Sequence, residues 1–170
     1  NAKRITPGNI EDDLHLLKDY DWVVEVIIEN LEIKRNLYSK LSDYIGSNTI
    51  LSSNTSTIPR SELVSELPED ISSRFLITHF FNPPRYLPLL EVVTSPEVND
   101  DVVSRFSNFA DLRLGKRVTM CNDRPGFIGN RLGVYFVQRA IKATLEHGLS
   151  VEQADAMLGR PIGLPKTGVF

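Results

Sequence analysis

The sequence predicts an α/β fold that gives way to an all-helical segment. Three observations carry this. Short β-branched apolar runs alternate with amphipathic helical stretches as far as Met120, the alternation stops at Asn122-Asp123-Arg124-Pro125-Gly126, and a long apolar helical pattern follows. The 170 residues are 41% hydrophobic and 24% charged, close to average soluble-domain usage, and a chain of this length buries a core without staples.

Taken in order, residues 9–18 carry Ile10, Leu14 and Leu17 at helical spacing behind Asn9, a good N-cap, and predict a helix. Residues 22–28 are β-branched and almost wholly apolar, as a strand covered on both faces reads. Residues 31–44 are amphipathic and stop at Gly46. Residues 49–53 predict a second strand, whose polar continuation Asn54-Thr55-Ser56-Thr57 leads past Pro59 into a short helix ending at Leu63. Strand, helix, strand, helix in that order implies parallel strands with crossover helices. Residues 75–81 form a further strand, broken by Asn82-Pro83-Pro84, and residues 89–93 its hairpin partner. Ser95-Pro96-Glu97 reads as a helix start with Pro at the first helical position, and Val98, Val102, Phe106, Phe109 and Ala110 carry that helix to Gly115. Residues 116–120 make one more strand. Beyond Pro125, a helix spans residue 127 to about 145, and Ser150 with Gln153 caps another that runs to Leu158. The domain boundary falls between residues 1–123 and 124–170.

Composition also excludes several classes. The single cysteine, Cys121, closes no intrachain disulfide and builds no cysteine-based zinc site; with Trp22 it reads as core, and no metal is expected. Nineteen basic against 22 acidic residues, without a run of either sign, leave no footprint for nucleic acid or an anionic membrane. No apolar stretch approaches the length of a membrane-spanning helix. A start at Asn1 without Met, and an end at Gly168-Val169-Phe170 without a polar tail, read as a piece of a longer protein.

Of three histidines, His15 lies in a polar helix and His147 at a helix C-terminus, both ordinary places. His79 lies at the carboxyl end of a strand, where open α/β sheets place their sites. Glu91 interrupts Leu89-Leu90-Glu91-Val92-Val93, and burying it unpaired would cost several kcal/mol. Positions 79 and 91 are equidistant from Arg85, so a hairpin about Arg85 sets them opposite each other. Spacing alone leaves two readings, a general base with its orienting carboxylate or a buried structural pair. The amides and hydroxyls of Asn54, Thr55 and Ser56 suit a bound oxyanion or a helix cap. Glu25, Glu29 and Lys34 suit a solvated surface or a ligand rim. Asn130, near Gly126, Gly129 and Gly133, suits helix packing or a cleft. Neither Gly-x-Gly-x-x-Gly nor Gly-x-Ser-x-Gly occurs.

Four ordered motifs together resemble the L-3-hydroxyacyl-CoA dehydrogenase family over nearly the whole chain. They are Val24-Glu25-Val26-Ile27-Ile28-Glu29-Asn30-Leu31-Glu32-Ile33-Lys34, Ser53-Asn54-Thr55-Ser56, His79-Phe80-Phe81-Asn82-Pro83 with Glu91 twelve residues after the His, and Pro125-Gly126-Phe127-Ile128-Gly129-Asn130-Arg131. The resemblance implies the later part of a Rossmann-type NAD-binding domain at 1–123, lacking its first βαβ unit. It implies the start of an all-helical C-terminal domain at 124–170 that forms a homodimer, with acyl-CoA bound in the cleft. His79 would be the base that takes the 3-hydroxyl proton while hydride passes from C3 to NAD, in fatty-acid β-oxidation, and Glu91 would orient it. Ser56 and Asn130 would hydrogen-bond the substrate; Glu29, Lys34, Asn54, Ser56 and Asn82 would line the nicotinamide half of the NAD site. Without the glycine-rich first unit, the piece is expected to bind NAD poorly and turn over slowly, and NAD against NADP stays open. Thr6-Pro7-Gly8-Asn9 and Gly163-Leu164-Pro165-Lys166 resemble the branch with a hydratase-type domain fused downstream. The implied compartment is the cytoplasm, or the mitochondrial matrix in a eukaryote. Two other classes use the same residues: a non-catalytic binding or dimerisation module of this fold, and a CoA-ester lyase or hydrolase employing the His–Glu pair without NAD.

Overall fold

The computed structural model describes residues 2–164 and 168–170; of the second fused-branch motif, Pro165 and Lys166 lie outside the described residues. Its apolar runs form β1 (Trp22–Glu25), β2 (Ile50–Ser53), β3 (Phe75–Phe80), β4 (Leu89–Val93) and β5 (Arg117–Cys121), in one sheet of order β1-β2-β3-β4-β5. β1, β2 and β3 run parallel, β4 is antiparallel to β3, and β5 is parallel to β4. Three of the four pairings are parallel, as the alternation of strands and helices requires. The connecting helices are α1 (Leu31–Ser42), α2 (Arg60–Leu63), α3 (Glu69–Ser72) and α4 (Asp100–Leu114). They belong to a compact unit, Asn1–Phe127; a second unit, Ile128–Phe170, holds α5 (Gly129–Glu146) and α6 (Val151–Leu158).

Strand alternation divides the apolar core of the first unit into two layers. Val23, Leu51, Phe75, Ile77 and Val93 face Tyr38 and Leu41 of α1, Leu63 of α2 and Ile71 of α3. Ile50, Leu76, Leu90 and Val92 face Val102, Phe106 and Ala110 of α4. The two-residue period then assigns Glu25, Ser53, His79 and Glu91 to the first of these faces. Trp22 belongs to the other layer, edge-on to Phe106 at 5.2 Å with its indole N–H donating to Ser52 Oγ at 2.8 Å. Cys121 is buried in the first layer.

Local chemistry explains where helices stop. α4 ends at Gly115 in the left-handed region, φ 65°, open to glycine without penalty. After α1, Gly46 passes so close to the Lys18 carbonyl that a Cβ would stand 2.6 Å from it. Ser150 and Gln153 form a complete capping box on α6. Among the described residues, no helix is long and apolar enough to cross a membrane.

Four local expectations need correction. Residues 9–18 are not an α-helix; a 3-10 helix covers Leu14–Asp19. The Asn9 side chain accepts from the Glu11 and Asp12 amides, each at 2.8 Å, and this turn competes with helix. The first strand ends at Glu25 and is not covered on both faces, since Val24, Val26 and Ile28 are exposed. It is an edge strand, and the Glu25 carboxylate turns the chain by accepting from the Ile27 amide at 2.6 Å. α4 starts at Asp100, not at Pro96, because Ser95 and Glu97 are committed to the buried Arg60 guanidinium. In the second unit, α5 starts at Gly129, not at residue 127.

Candidate active site

The antiparallel β3–β4 register puts His79 opposite Glu91. His79 Nδ1–H donates to Glu91 Oε2 at 2.8 Å, with His79 5% and Glu91 1% exposed. A carboxylate on Nδ1 selects the tautomer whose Nε2 carries the lone pair, and it supports positive charge on the ring once Nε2 takes a proton. Nε2 makes no hydrogen bond among the described residues. Phe81 and Phe127 pack on the imidazole with centroids at 4.7 and 5.6 Å, fixing the ring plane. A buried base with one committed and one uncommitted nitrogen is equipped for proton transfer.

Asn54 ties the next strand to this pair. Its amide N–H donates to the Glu25 carbonyl and its side-chain oxygen accepts from the Phe80 amide, both at 2.9 Å, so the end of β2 is locked beside the residue after His79. Glu29 lies outside β1, 40% exposed at its side chain. Its Oε1 accepts from the Thr55 hydroxyl at 2.5 Å, the Ser56 amide at 3.1 Å, and the Thr57 amide and hydroxyl at 3.2 and 3.1 Å. Of the groups expected to meet an outside anion, the Thr55 hydroxyl and the Ser56 amide therefore already hold a carboxylate of this chain, while the Asn54 and Thr55 amides donate to the Glu25 carbonyl and to Ser53 Oγ. Partial burial pushes the Glu29 carboxyl up, but these hydrogen bonds and the Lys34 charge outweigh it and hold it below the ordinary value.

Asn82 is exposed in the turn after β3, behind a cis Asn82–Pro83 peptide. That turn is held from inside by Lys116, a cation without a signal in the pattern. Its ammonium donates to the Pro84 carbonyl and to the Leu87 carbonyl, the latter at 2.7 Å, and lies 5.6 Å from the Phe80 ring centroid. Asn130 is half-buried in the second unit.

The Glu25 cluster departs from both readings of the sequence. Glu25 is neither solvated nor a rim; it is 3% exposed, and Lys34, at 1%, pairs with it at 2.7 Å. Tyr38 and Ser53 hydroxyls each donate to it at 2.6 Å. Burial raises the Tyr38 phenol far above its ordinary range, reinforced by the hydrogen bond to Glu25 and the Glu25 charge. The sequence clue is the two-residue period: Glu25 shares its face with Val23, which is core.

Residues 1–124 match the family model described as 3-hydroxyacyl-CoA dehydrogenase, NAD binding domain. A Deinococcus radiodurans protein named "Probable 3-hydroxyacyl-CoA dehydrogenase" is 44% identical over 99% of this chain and 49% of its own length. A "Fatty acid oxidation complex subunit alpha" of Idiomarina loihiensis is 34% identical over 95% of this chain and 21% of its own. The crystal structure of FadB2 from M. tuberculosis superposes with a TM-score of 0.81 at 32% identity, covering 90% of this chain and 53% of that one. The chain thus spans at most about half the length of these relatives.

Proposed function

This chain belongs to the family of NAD-binding domains of 3-hydroxyacyl-CoA dehydrogenases, and we propose that within its whole protein it oxidises L-3-hydroxyacyl-CoA to 3-oxoacyl-CoA, with His79 as general base. The observation that carries this is the buried His79–Glu91 hydrogen bond of 2.8 Å, which leaves Nε2 for the 3-hydroxyl proton. As the proton arrives, the adjacent Glu91 carboxylate supports the imidazolium, and the Phe81 and Phe127 rings keep it from turning toward other partners.

The residues at the ends of β1 to β3 suit half of an NAD molecule. Glu29, Asn54, Ser56 and Asn82 offer a carboxylate, amides and a hydroxyl, the donor and acceptor types that ribose hydroxyls and a carboxamide pair with, and Lys34 charges the rim from below. These 170 residues hold no Gly-x-Gly-x-x-Gly loop for the pyrophosphate, so the proposal concerns the nicotinamide half alone. When bound, NAD supplies the acceptor for the electron pair leaving C3. Ser56 is the substrate-binding group in the first unit and Asn130 that in the second; both carry amide or hydroxyl donors for a thioester or hydroxyl oxygen. Residues 1–123 then serve the cofactor and base, and residues 124–170 begin a helical, dimer-forming domain. The relative named as a fatty acid oxidation complex subunit supports a role in fatty-acid oxidation; the same reading carries β-oxidation in the cytoplasm and a fused hydratase-type domain.

The test uses the longest natural chain containing these residues. Absorbance at 340 nm should rise on mixing it with NAD and L-3-hydroxybutyryl-CoA. Disappearance of the CoA ester without that absorbance would instead indicate lyase or hydrolase chemistry.

A further inference from the structure

Burying a carboxylate with an ammonium is tolerated only when their remaining hydrogen-bonding capacity is met. At Glu25 it is met from two elements, α1 and β2, and one turn. Oε1 accepts from the Ile27 amide at 2.6 Å and the Lys34 ammonium at 2.7 Å, while Oε2 accepts from Tyr38 and Ser53, each at 2.6 Å. The Glu25 carbonyl takes the Asn54 amide at 2.9 Å. Lys34 goes further, donating to the Ile27 carbonyl at 3.2 Å and lying 3.4 Å from Glu29 Oε2. The opposite oxygen of Glu29 is the one that gathers residues 55–57. Contacts thus run from a buried anion, through a buried cation, to a partly exposed carboxylate and then to the backbone of Ser56.

We infer that Glu25 is a positioning residue of the cofactor half-site: acting through Lys34, it sets the pose of Glu29 and of the Ser56-bearing loop. The inference rests on the dehydrogenase reading above. A plain core ion pair would end at Lys34, but here the ammonium lies between two carboxylates, and its position is a balance of the two attractions. Neutralising Glu25 leaves Glu29 as the anion near Lys34. The cation is then drawn outward, and Glu29 exchanges its loop amides for a closer ammonium. The loss falls on cofactor affinity and spares the chemical step, because His79 and Glu91 hang from β3 and β4.

The experiment measures NADH binding by fluorescence titration, with kcat alongside, in the longest natural chain containing these residues. Glu25→Gln is expected to raise the NADH dissociation constant roughly tenfold, the scale of a small misplacement under a binding group. Its kcat at saturating NAD should change by less than about twofold. Tyr38→Phe strips a hydroxyl from the same carboxylate while leaving the Lys34 contacts, so it should lower the melting temperature without moving the dissociation constant. Glu25→Gln with Lys34→Met removes both charges, which keeps the comparison possible if Glu25→Gln alone fails to fold; it should bind NADH as well as Lys34→Met alone. A wild-type dissociation constant in Glu25→Gln, or a double variant weaker than Lys34→Met, overturns the inference while the dehydrogenase reading stands. A wild-type chain unable to bind NADH overturns that reading and this inference with it.

Discussion

Glu91 and Glu25 share one face of the sheet and are about equally hidden, at 1% and 3% exposure, yet they are finished differently. Around Glu25 the donors are two hydroxyls, an amide and an ammonium that is itself shared with Ile27 and Glu29. Glu91 instead holds a ring whose second nitrogen makes no hydrogen bond among the described residues. Burial of charge therefore does not mark the group proposed to react. What marks it is a partner with a lone pair left over.

Breaking the open pair should cost rate and little else. His79→Gln is predicted to lower kcat roughly a thousandfold, within the range general acid–base catalysis supplies, with an unchanged circular dichroism spectrum. Near-normal turnover in that folded variant would remove the base assignment. Glu91→Gln keeps an oxygen facing Nδ1–H but loses the charge, so kcat should fall by roughly a hundredfold, the lower end of the same range. The saturated cluster should respond the other way. Tyr38→Phe removes a 2.6 Å hydrogen bond to a buried carboxylate, so unfolding by urea should show a loss of about 1.5–3 kcal/mol, with kcat intact. The smallest effect concerns pH. Because folding holds the Glu29 carboxyl below its ordinary 4.5, its contribution is whole above that value and fades as pH falls through the lowered one. Exposure and salt keep it small. The urea midpoints of the wild type and Glu29→Gln should differ most at neutral pH and converge in acid.

The open pair is legible in the sequence because everything it needs is local. Two apolar runs around a Pro-Pro break set a hairpin, and His79 and Glu91 each stand six residues from Arg85. The closed cluster is not legible, since Glu25 meets Ser53 only through a parallel crossover and Tyr38 only through the docking of α1. The alternation of strands and helices, the Gly115 stop and the Ser150 cap follow from short-range chemistry and emerge correctly. Ser95-Pro96-Glu97 misleads for the opposite reason: a good local helix start is overruled by Arg60, whose guanidinium reaches Ser95 Oγ at 2.8 Å and the Ser72 and Phe75 carbonyls at 2.5 and 2.9 Å. Lys116 and Arg60 share that history, as buried cations recruited by main-chain carbonyls that no period in the sequence announces.

The hairpin has one more consequence, for assembly of the chain. A slip of one residue between β3 and β4 would turn Glu91 away from His79 and set Leu90 or Val92 opposite the imidazole. The slipped arrangement would strand a carboxylate in the interior at a cost of several kcal/mol, whereas an all-apolar β4 would tolerate either alignment. The pair thus proofreads the alignment of its own strands, and a chain that folds with the wrong pairing is penalised before any substrate is met.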